Sequence, residues 1–132
     1  MYVFFDADEG TANHSRLYNE FHHKLDVRLK AILIEAGVWS QNVLGKQLIV
    51  TCLLRTKEEN EAVGGRPQSA HLEARASDLR TRHLNTEQEE KLKAHLENVW
   101  GSEFLHVLIH DSGAGRHMHL NINFPFKRNT LV

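Results

Sequence analysis

Cysteine is almost absent from this 132-residue sequence, which contains only Cys52. A lone cysteine excludes an internal disulfide and a zinc cluster built from cysteines, and its place in an apolar run predicts a buried side chain. An excess of positive charge is also absent, because 16 lysines and arginines are balanced by 17 acidic residues. Nucleic-acid-binding domains usually carry a basic face, so this balance argues against a nucleic-acid partner.

Long apolar segments are absent too. No stretch approaches the ~20 apolar residues that span a membrane, and no charged start is followed by an apolar segment of the kind found in signal peptides. We therefore expect no membrane insertion and no export signal, so that the protein is cytoplasmic when it is synthesised. Repeats and low-complexity segments are missing as well, and the length predicts a single domain over residues 1–132.

Two stretches carry the apolar spacing of amphipathic helices. The first runs over residues 15–36, and Gly37 is a suitable stop. The second begins with a capping box at residues 86–89 and ends at Gly101. Each helix would place one apolar stripe on the core.

Apolar runs and alternation predict the strands. Residues 47–54 form a nearly continuous apolar run, typical of a central strand covered on both faces. Residues 104–110 and the strand that starts at His117 are joined by a turn, which predicts an antiparallel hairpin. Residues 1–5 suit a short strand, and residues 57–67 suit a polar loop that borders a cleft. The expected fold is α+β, with two main helices packed on a small, mainly antiparallel sheet.

The segment 116–124 places two histidines on one strand face. Apolar residues at 118, 120, 122 and 124 alternate with polar residues at 117, 119, 121 and 123. His117 and His119 therefore point the same way. His71 and Asp78 lie seven residues apart, and a loop running into a strand is the simplest way to bring them together. Such a set of histidines and an aspartate is one that zinc takes in catalytic sites.

Histidine is otherwise abundant, with ten residues in the sequence. Two of the others, His106 and His110, flank an apolar run and are candidates for the cleft. The remaining histidines lie in polar or helical surroundings and are expected to be solvated or capping side chains: His14, His22, His23, His83 and His95.

At this point the residues resemble a known family. Residues 69–71 (Ser-Ala-His) followed by 76–78 (Ala-Ser-Asp) resemble the Ser-x-His-x-x-Gly-x-Ala-x-Asp motif of the zinc D-Ala-D-Ala carboxypeptidases and peptidoglycan endopeptidases, whose fold is shared with the hedgehog signalling domain. Residues 117–119 (His-Met-His) are similar to the second motif of that family, His-x-His. Residues 51–55 resemble the family strand that ends in a substrate-contacting arginine.

The resemblance implies roles for individual residues. One zinc ion would be bound by His71, Asp78 and His119. His117 would be the catalytic base, Arg55 would hold a substrate carboxylate, and Ser69 would line the same cleft. Arginine suits a carboxylate because its guanidinium group can donate two parallel hydrogen bonds.

The resemblance also implies a hedgehog-like metallopeptidase fold and a function. The expected enzyme hydrolyses an amide bond in peptidoglycan stem peptides, as a carboxypeptidase or an endopeptidase, with zinc-bound water as the nucleophile and His117 accepting its proton. No separate wall-binding domain is expected, so the catalytic domain itself would bind the stem peptide. Because a wall-degrading enzyme without an export signal needs another way out of the cell, the interpretation extends to a phage endolysin that acts on the wall after release.

Two positions depart from the family pattern. Ala74 occupies the place of the motif glycine, which usually marks a positive φ or a close backbone approach, so alanine there would strain the loop or narrow the cleft. Cys52 occupies a position in the arginine strand where the family usually has a small residue or serine. Neither change removes an expected ligand.

Several alternatives stay open on the sequence alone. His117 could be a fourth ligand that closes the site and makes it structural, or the histidines could bind no metal. A hedgehog-like zinc module without activity is a third possibility, motivated by Ala74. The His-Met-His strand also suits nucleases in which a metal assists attack by a tyrosine on DNA, but Tyr2 and Tyr18 both precede it and the net charge is only −1.

Overall fold

A computed structural model describes residues 2–7, 9–112 and 115–123 of the chain. Its α-helices are α1 (Ala12–His23), α2 (Val27–Trp39), α3 (Lys57–Ala62) and α4 (Thr86–Trp100). Its strands are β1 (Val3–Phe5), β2 (Leu48–Cys52), β3 (Ala76–Arg80), β4 (Leu105–Ser112) and β5 (Gly115–Ile122). A π-helical turn, Ser40–Leu44, follows α2, and a 3₁₀ helix, Ala70–Glu73, precedes β3. The α+β class is confirmed, although four α-helices stand where two main ones were expected.

The five strands form one sheet in the order β1-β2-β3-β5-β4. β1 is parallel to β2, and every other neighbouring pair is antiparallel. β4 and β5 form the predicted hairpin, and their pairing extends to Ser112 and Gly115. The sheet is therefore mainly antiparallel, as the sequence predicted.

One face of the sheet packs against the helices and forms the core. Its most deeply buried apolar side chains include Leu29, Ile32 and Leu33 of α2, Leu92 and Leu96 of α4, and Leu79, Met118, Leu120 and Ile122 of the sheet. Burial of each such side chain contributes about 1.5–3 kcal/mol. Because side chains alternate along a strand, the residues between them project from the opposite face. That opposite face carries the candidate site.

The single long helix expected over residues 15–36 is wrong, because the chain breaks between α1 and α2. The backbone N–H groups of Lys24 and Leu25 both donate to the Glu20 carbonyl, at 3.0 and 2.8 Å. Asp26 then caps α2 by accepting from the N–H of Arg28 at 2.9 Å. The apolar spacing hides this break because both helices turn their apolar sides to the same core.

Gly37 does not stop a helix but lies inside α2. A Cβ atom at this position would lie 2.5 Å from the carbonyl oxygen of Tyr2. The glycine is therefore needed for the close approach of the segment before β1. The helical path continues through residues 40–44 and ends at Gly45, whose φ is 66°.

Two other boundaries also differ from the expectation. The capping box of α4 is formed by Asn85 and Gln88, one residue earlier than predicted, whereas Gly101 does end the helix. The polar loop expected at residues 57–67 contains α3, which begins with a capping box between Thr56 and Glu59. Short polar helices of this kind lack the apolar spacing that reveals a longer one.

Residues 124–132 lie outside the described part of the chain, and with them the apolar position 124 of the predicted strand. Among the described residues, no helix combines the length and apolar character required to cross a membrane.

Candidate metal centre

The open face of the sheet forms the floor of a cleft of about 870 Å³. The segment before β3 forms one of its walls. The cleft brings together all the site residues chosen from the sequence: Arg55, Ser69, His71, Asp78, His117 and His119.

Asp78 and His119 are neighbours because of strand register. β3 pairs with β5 so that Asp78 lies directly opposite His119. Opposite residues of an antiparallel pair project from the same face. The next pair, Leu79 and Met118, is fully buried in the core. Burial of that apolar pair therefore fixes the direction of the two polar side chains.

His71 reaches the same point from the 3₁₀ helix before β3. Ser69 caps the start of this helix, and its Oγ accepts a hydrogen bond from the N–H of His71 at 3.3 Å. The helix ends at Ala74, which has left-handed φ and ψ values of 57° and 29°. This tight reversal leads the chain into β3 and leaves His71 against Asp78.

Two of the expected ligands, His71 and His119, lie against the same carboxylate oxygen of the third, Asp78. Oδ1 of Asp78 lies 3.3 Å from Nε2 of His71 and 3.0 Å from Nδ1 of His119. With metal–ligand distances near 2.0–2.2 Å, tetrahedral zinc holds its nitrogen and oxygen ligands about 3.3–3.5 Å apart. Both nitrogen–oxygen distances thus lie close to those between the ligands of a zinc ion.

Each histidine is held by its other ring nitrogen. Nδ1 of His71 donates to the Leu53 carbonyl at 2.7 Å, and Nε2 of His119 lies 2.8 Å from Oδ1 of Asn121. These contacts direct the remaining nitrogen of each ring toward Asp78. Such partners orient metal-ligating histidines and raise their basicity. Asn121 was not singled out from the sequence, although its position two residues after His119 on the same strand face was visible there.

The pKa values of Asp78 and His71 are strongly shifted from their usual values. Burial opposes ionisation of Asp78, but hydrogen bonds from His119 and His71 outweigh it and hold the pKa of this carboxyl far below its usual range. Burial also disfavours the charged form of His71, yet the hydrogen bond to Asp78 prevails and raises the pKa of His71 to about 9. Without a metal, a proton on His71 therefore balances the buried carboxylate.

Comparison with known proteins places the chain in a family. A model described as Peptidase M15 matches residues 20–121, which include every candidate ligand. The chain belongs to the peptidase M15 family. No curated protein and no solved structure gives a significant match. M15 proteins are zinc peptidases, so the match supports a zinc peptidase and confirms the expected family at that level.

The M15 site holds Arg55 beside the candidate ligands. Its Nη2 lies 3.4 Å from Oδ2 of Asp78, and its Nη1 lies 3.5 Å from Oδ1 of Asn60. Both contacts are long for charge-assisted hydrogen bonds. The guanidinium group thus lines the cleft with donor capacity left for an anionic group of a substrate.

His117 lies in the cleft but outside this cluster of contacts. Its Nδ1 lies 3.0 Å from the Gly115 carbonyl, and its ring is 4.1 Å from that of His110 between centroids. In the register of β3 and β5 it lies opposite Arg80, one step along the cleft from Asp78. His117 is thus a neighbour of the candidate ligands along the cleft.

Cys52 is half-buried and lines the cleft, whereas the sequence predicted a buried side chain. Its Sγ lies 3.8 Å from Nδ1 of His71, and the donor atoms of Cys52, His71 and Asp78 lie within 4.8 Å of one another. This is a second possible donor set. A metal on Nδ1 would have to break the 2.7 Å hydrogen bond to Leu53, so in either donor set His71 is better placed to bind through Nε2.

A clamp from α1 holds the chain that supports His71. Arg16 donates to the Leu54 carbonyl at 2.9 Å, and Glu20 accepts from the Leu54 N–H at 3.3 Å. Arg16 also pairs with Glu20 and with Glu59 of α3. The clamped residue lies between Leu53, which holds the His71 ring, and Arg55, whose N–H donates to the His71 carbonyl at 3.1 Å. We name Arg16 and Glu20 the α1 clamp.

Of the other histidines, His106 and His110 lie where the sequence suggested, whereas His95 is not the solvated or capping side chain that was expected. His106 and His110 line the cleft, and the His106 ring lies 6.2 Å from that of His119. His95 is an example of a structural histidine, since it stacks on Trp39 at 4.1 Å and pairs with Glu35.

Proposed function

We propose that this M15 protein is a zinc-dependent peptidase that hydrolyses an amide bond in peptidoglycan stem peptides. The observation that carries the proposal is that Oδ1 of Asp78 lies 3.3 Å from His71 Nε2 and 3.0 Å from His119 Nδ1, in an open cleft. Three protein ligands leave one position free, as in catalytic rather than structural zinc sites. Action on the cell wall after release from the cytoplasm, as in a phage endolysin, is the setting we propose.

The donor set fits zinc in chemistry as well as spacing. Two imidazoles and one carboxylate suit this ion, and Leu53 and Asn121 supply the outer hydrogen bonds that such ligands need. When bound, zinc supplies a Lewis acid and lowers the pKa of a water molecule at its free position. The protein's own residues supply the proton transfers and hold the substrate.

In the proposed mechanism His117 transfers the proton. It lies two residues from His119 on the same strand face, about 6–7 Å along the strand, close enough to reach a water molecule beside the ligands. Its ring accepts the proton of the attacking water and then donates it to the leaving amine. The hydrogen bond of Nδ1 to Gly115 leaves Nε2 to carry this proton.

The charge of the cleft supports an anionic substrate. Although the chain has a net charge of −1, the cleft is lined by six arginines: Arg55, Arg66, Arg75, Arg80, Arg82 and Arg116. Only two carboxylates, of Asp6 and Asp78, line the same cleft within the described residues. Peptidoglycan stem peptides end in carboxylates, and Arg55 is the residue that we propose binds such a group beside the metal.

Cleavage of cell-wall material tests the proposal. The purified protein is incubated with peptidoglycan and with synthetic stem peptides, and the fragments are identified by mass spectrometry. We expect cleavage that is lost with a zinc chelator and restored by zinc, and that is absent in His71→Ala. Metal binding without any cleavage would favour the inactive zinc module instead.

Replacement of His117 separates base from ligand. If His117 is the base, His117→Ala keeps the metal and loses turnover; if it is a fourth ligand, the variant loses metal affinity as well. The DNA nuclease finds no support in the structure, because neither Tyr2 nor Tyr18 lines the cleft.

A further inference from the structure

We propose that His110 and His117 form a second, weaker site for a divalent transition-metal ion, beside the candidate zinc centre. We further infer that an ion bound there withdraws His117 from catalysis, so that excess zinc inhibits the enzyme. The binding site rests on geometry alone. Only the inhibition rests on the proposed function.

The two histidines form a cross-strand pair on the cleft face. His110 of β4 lies directly opposite His117 of β5 in the antiparallel register. Their ring centroids are 4.1 Å apart and the ring planes cross at 62°. Directly opposite residues have Cβ atoms about 4.5–5.5 Å apart, which lets the tips of two imidazoles meet by side-chain rotation alone. Two nitrogens on one tetrahedral zinc ion lie about 3.3 Å apart, within the reach of this pair.

Both rings have nitrogen atoms to offer. His117 uses Nδ1 for the Gly115 carbonyl, so its Nε2 is the nitrogen that faces outward. Within the part of the chain that the structure describes, His110 makes no side-chain hydrogen bond. Both residues line the cleft, so an ion has access from solvent. A neutral imidazole with a free nitrogen is a ligand for zinc, nickel and copper.

The pair is separate from the first candidate centre. The side-chain hydrogen-bond partners of His119 are Asp78 and Asn121, whereas His117 lies against the Gly115 carbonyl and the His110 ring. Two residues along a strand place the two sites about 6–7 Å apart. With only two protein ligands and no carboxylate, the pair must bind more weakly than a site with three.

A metal titration tests the binding site. Chelator-stripped protein is titrated with Zn²⁺ and, separately, with Ni²⁺ by isothermal calorimetry. We expect a tight and a weak class of zinc sites in the wild type. His110→Phe and the milder His110→Gln should lose the weak class and keep the tight one, whereas His71→Ala should lose only the tight class.

A matched control comes from the same strand. His106 also lies on the cleft face of β4, and His106→Phe should keep both classes because its nearest histidine is His119, at 6.2 Å between ring centroids. A wild type with a single class of sites would overturn the proposal. So would a weak class that survives His110→Phe and His110→Gln, because it would come from other histidines.

Activity in excess zinc tests the consequence. We expect turnover of the wild type to fall as zinc fills the weak class, and turnover of His110→Phe to stay constant over the same range. Inhibition that persists in His110→Phe would overturn the inference about His117. If no peptidase activity is found, the proposed function fails, and the calorimetric classes still decide whether the second site exists.

Discussion

Nδ1 of His71 lies 2.7 Å from the backbone carbonyl oxygen of Leu53. A carbonyl accepts but cannot donate, so this contact keeps the proton on Nδ1 whenever the ring is neutral. The lone pair is then on Nε2, the atom that faces Asp78 at 3.3 Å. A backbone carbonyl thus sets which nitrogen of His71 can bind a metal. The residues that hold the ligands in this way can be tested by substitution.

The first prediction concerns Asn121, the partner of the His119 ring. Its Oδ1 lies 2.8 Å from Nε2 of His119. Asn121→Ala should weaken zinc binding about 10–100-fold, since loss of an outer hydrogen bond frees the ligand ring. Competition with a chromophoric chelator measures the change. Asn121→Asp, which keeps an acceptor for Nε2, should bind zinc at least as tightly as the wild type; equal loss in both variants would contradict this role.

The second prediction concerns the α1 clamp. Arg16→Gln should lower the free energy of unfolding by about 1 kcal/mol, because several partners are lost but the side chain is partly exposed. It should also weaken zinc binding by up to about tenfold, because the clamped residue Leu54 lies between Leu53 and Arg55.

A surface arginine gives the control for the clamp. Arg28 pairs with Asp26 at 2.8 Å, and within the described residues its side-chain hydrogen bonds go to Asp26 and not to Leu54. Arg28→Gln should alter stability by a similar or smaller amount and leave zinc affinity unchanged. If both variants bind zinc like the wild type, the clamp has no influence on the site.

The third prediction concerns Ala74, which has a left-handed backbone with φ of 57°. This conformation costs an L-residue roughly 1–2 kcal/mol, while glycine adds about 0.5–1 kcal/mol of unfolded-state entropy. Ala74→Gly should therefore stabilise the protein by about 0.5–1 kcal/mol in urea unfolding. Ala62→Gly, at the end of α3, should instead destabilise it. A lower unfolding midpoint for Ala74→Gly would show that the alanine is not strained.

The fourth prediction concerns the pH dependence of stability. Hydrogen bonds from Arg16, and then from Thr56, lower the pKa of Glu59 from 4.5 to about 2. Because the folded-state pKa is the lower one, the stabilisation is present above pH 4.5 and is lost as the pH falls toward 2.

Glu59→Gln isolates this charge, since glutamine can keep the capping box with Thr56. Urea unfolding midpoints of the two proteins should differ at pH 6 and converge as the pH falls below 4. If the two midpoints differ by the same amount across this pH range, the Glu59 charge is not the cause of the difference in stability.

The strand face on which site residues lie could be predicted from the local alternation of polar and apolar residues. Alternation over residues 116–123 put His117 and His119 on one strand face, and the structure has them there. The same reasoning failed for the helix over residues 15–36, because apolar spacing records which side faces the core and continues across a break whose cause is the capping Asp26. Apolar spacing thus shows which side of a helix faces the core, but it does not show where one helix ends and the next begins.

The sequence by itself determined the α+β class, the hairpin and the residue types that a zinc site needs. Only the tertiary structure decided that β3 lies beside β5 with Asp78 opposite His119, and that Leu53, Cys52 and Asn121 surround them. The reason is physical: the direction of a side chain depends on its own segment, whereas its neighbours depend on strand pairings between segments about 40 residues apart, which are selected by burial of the whole core.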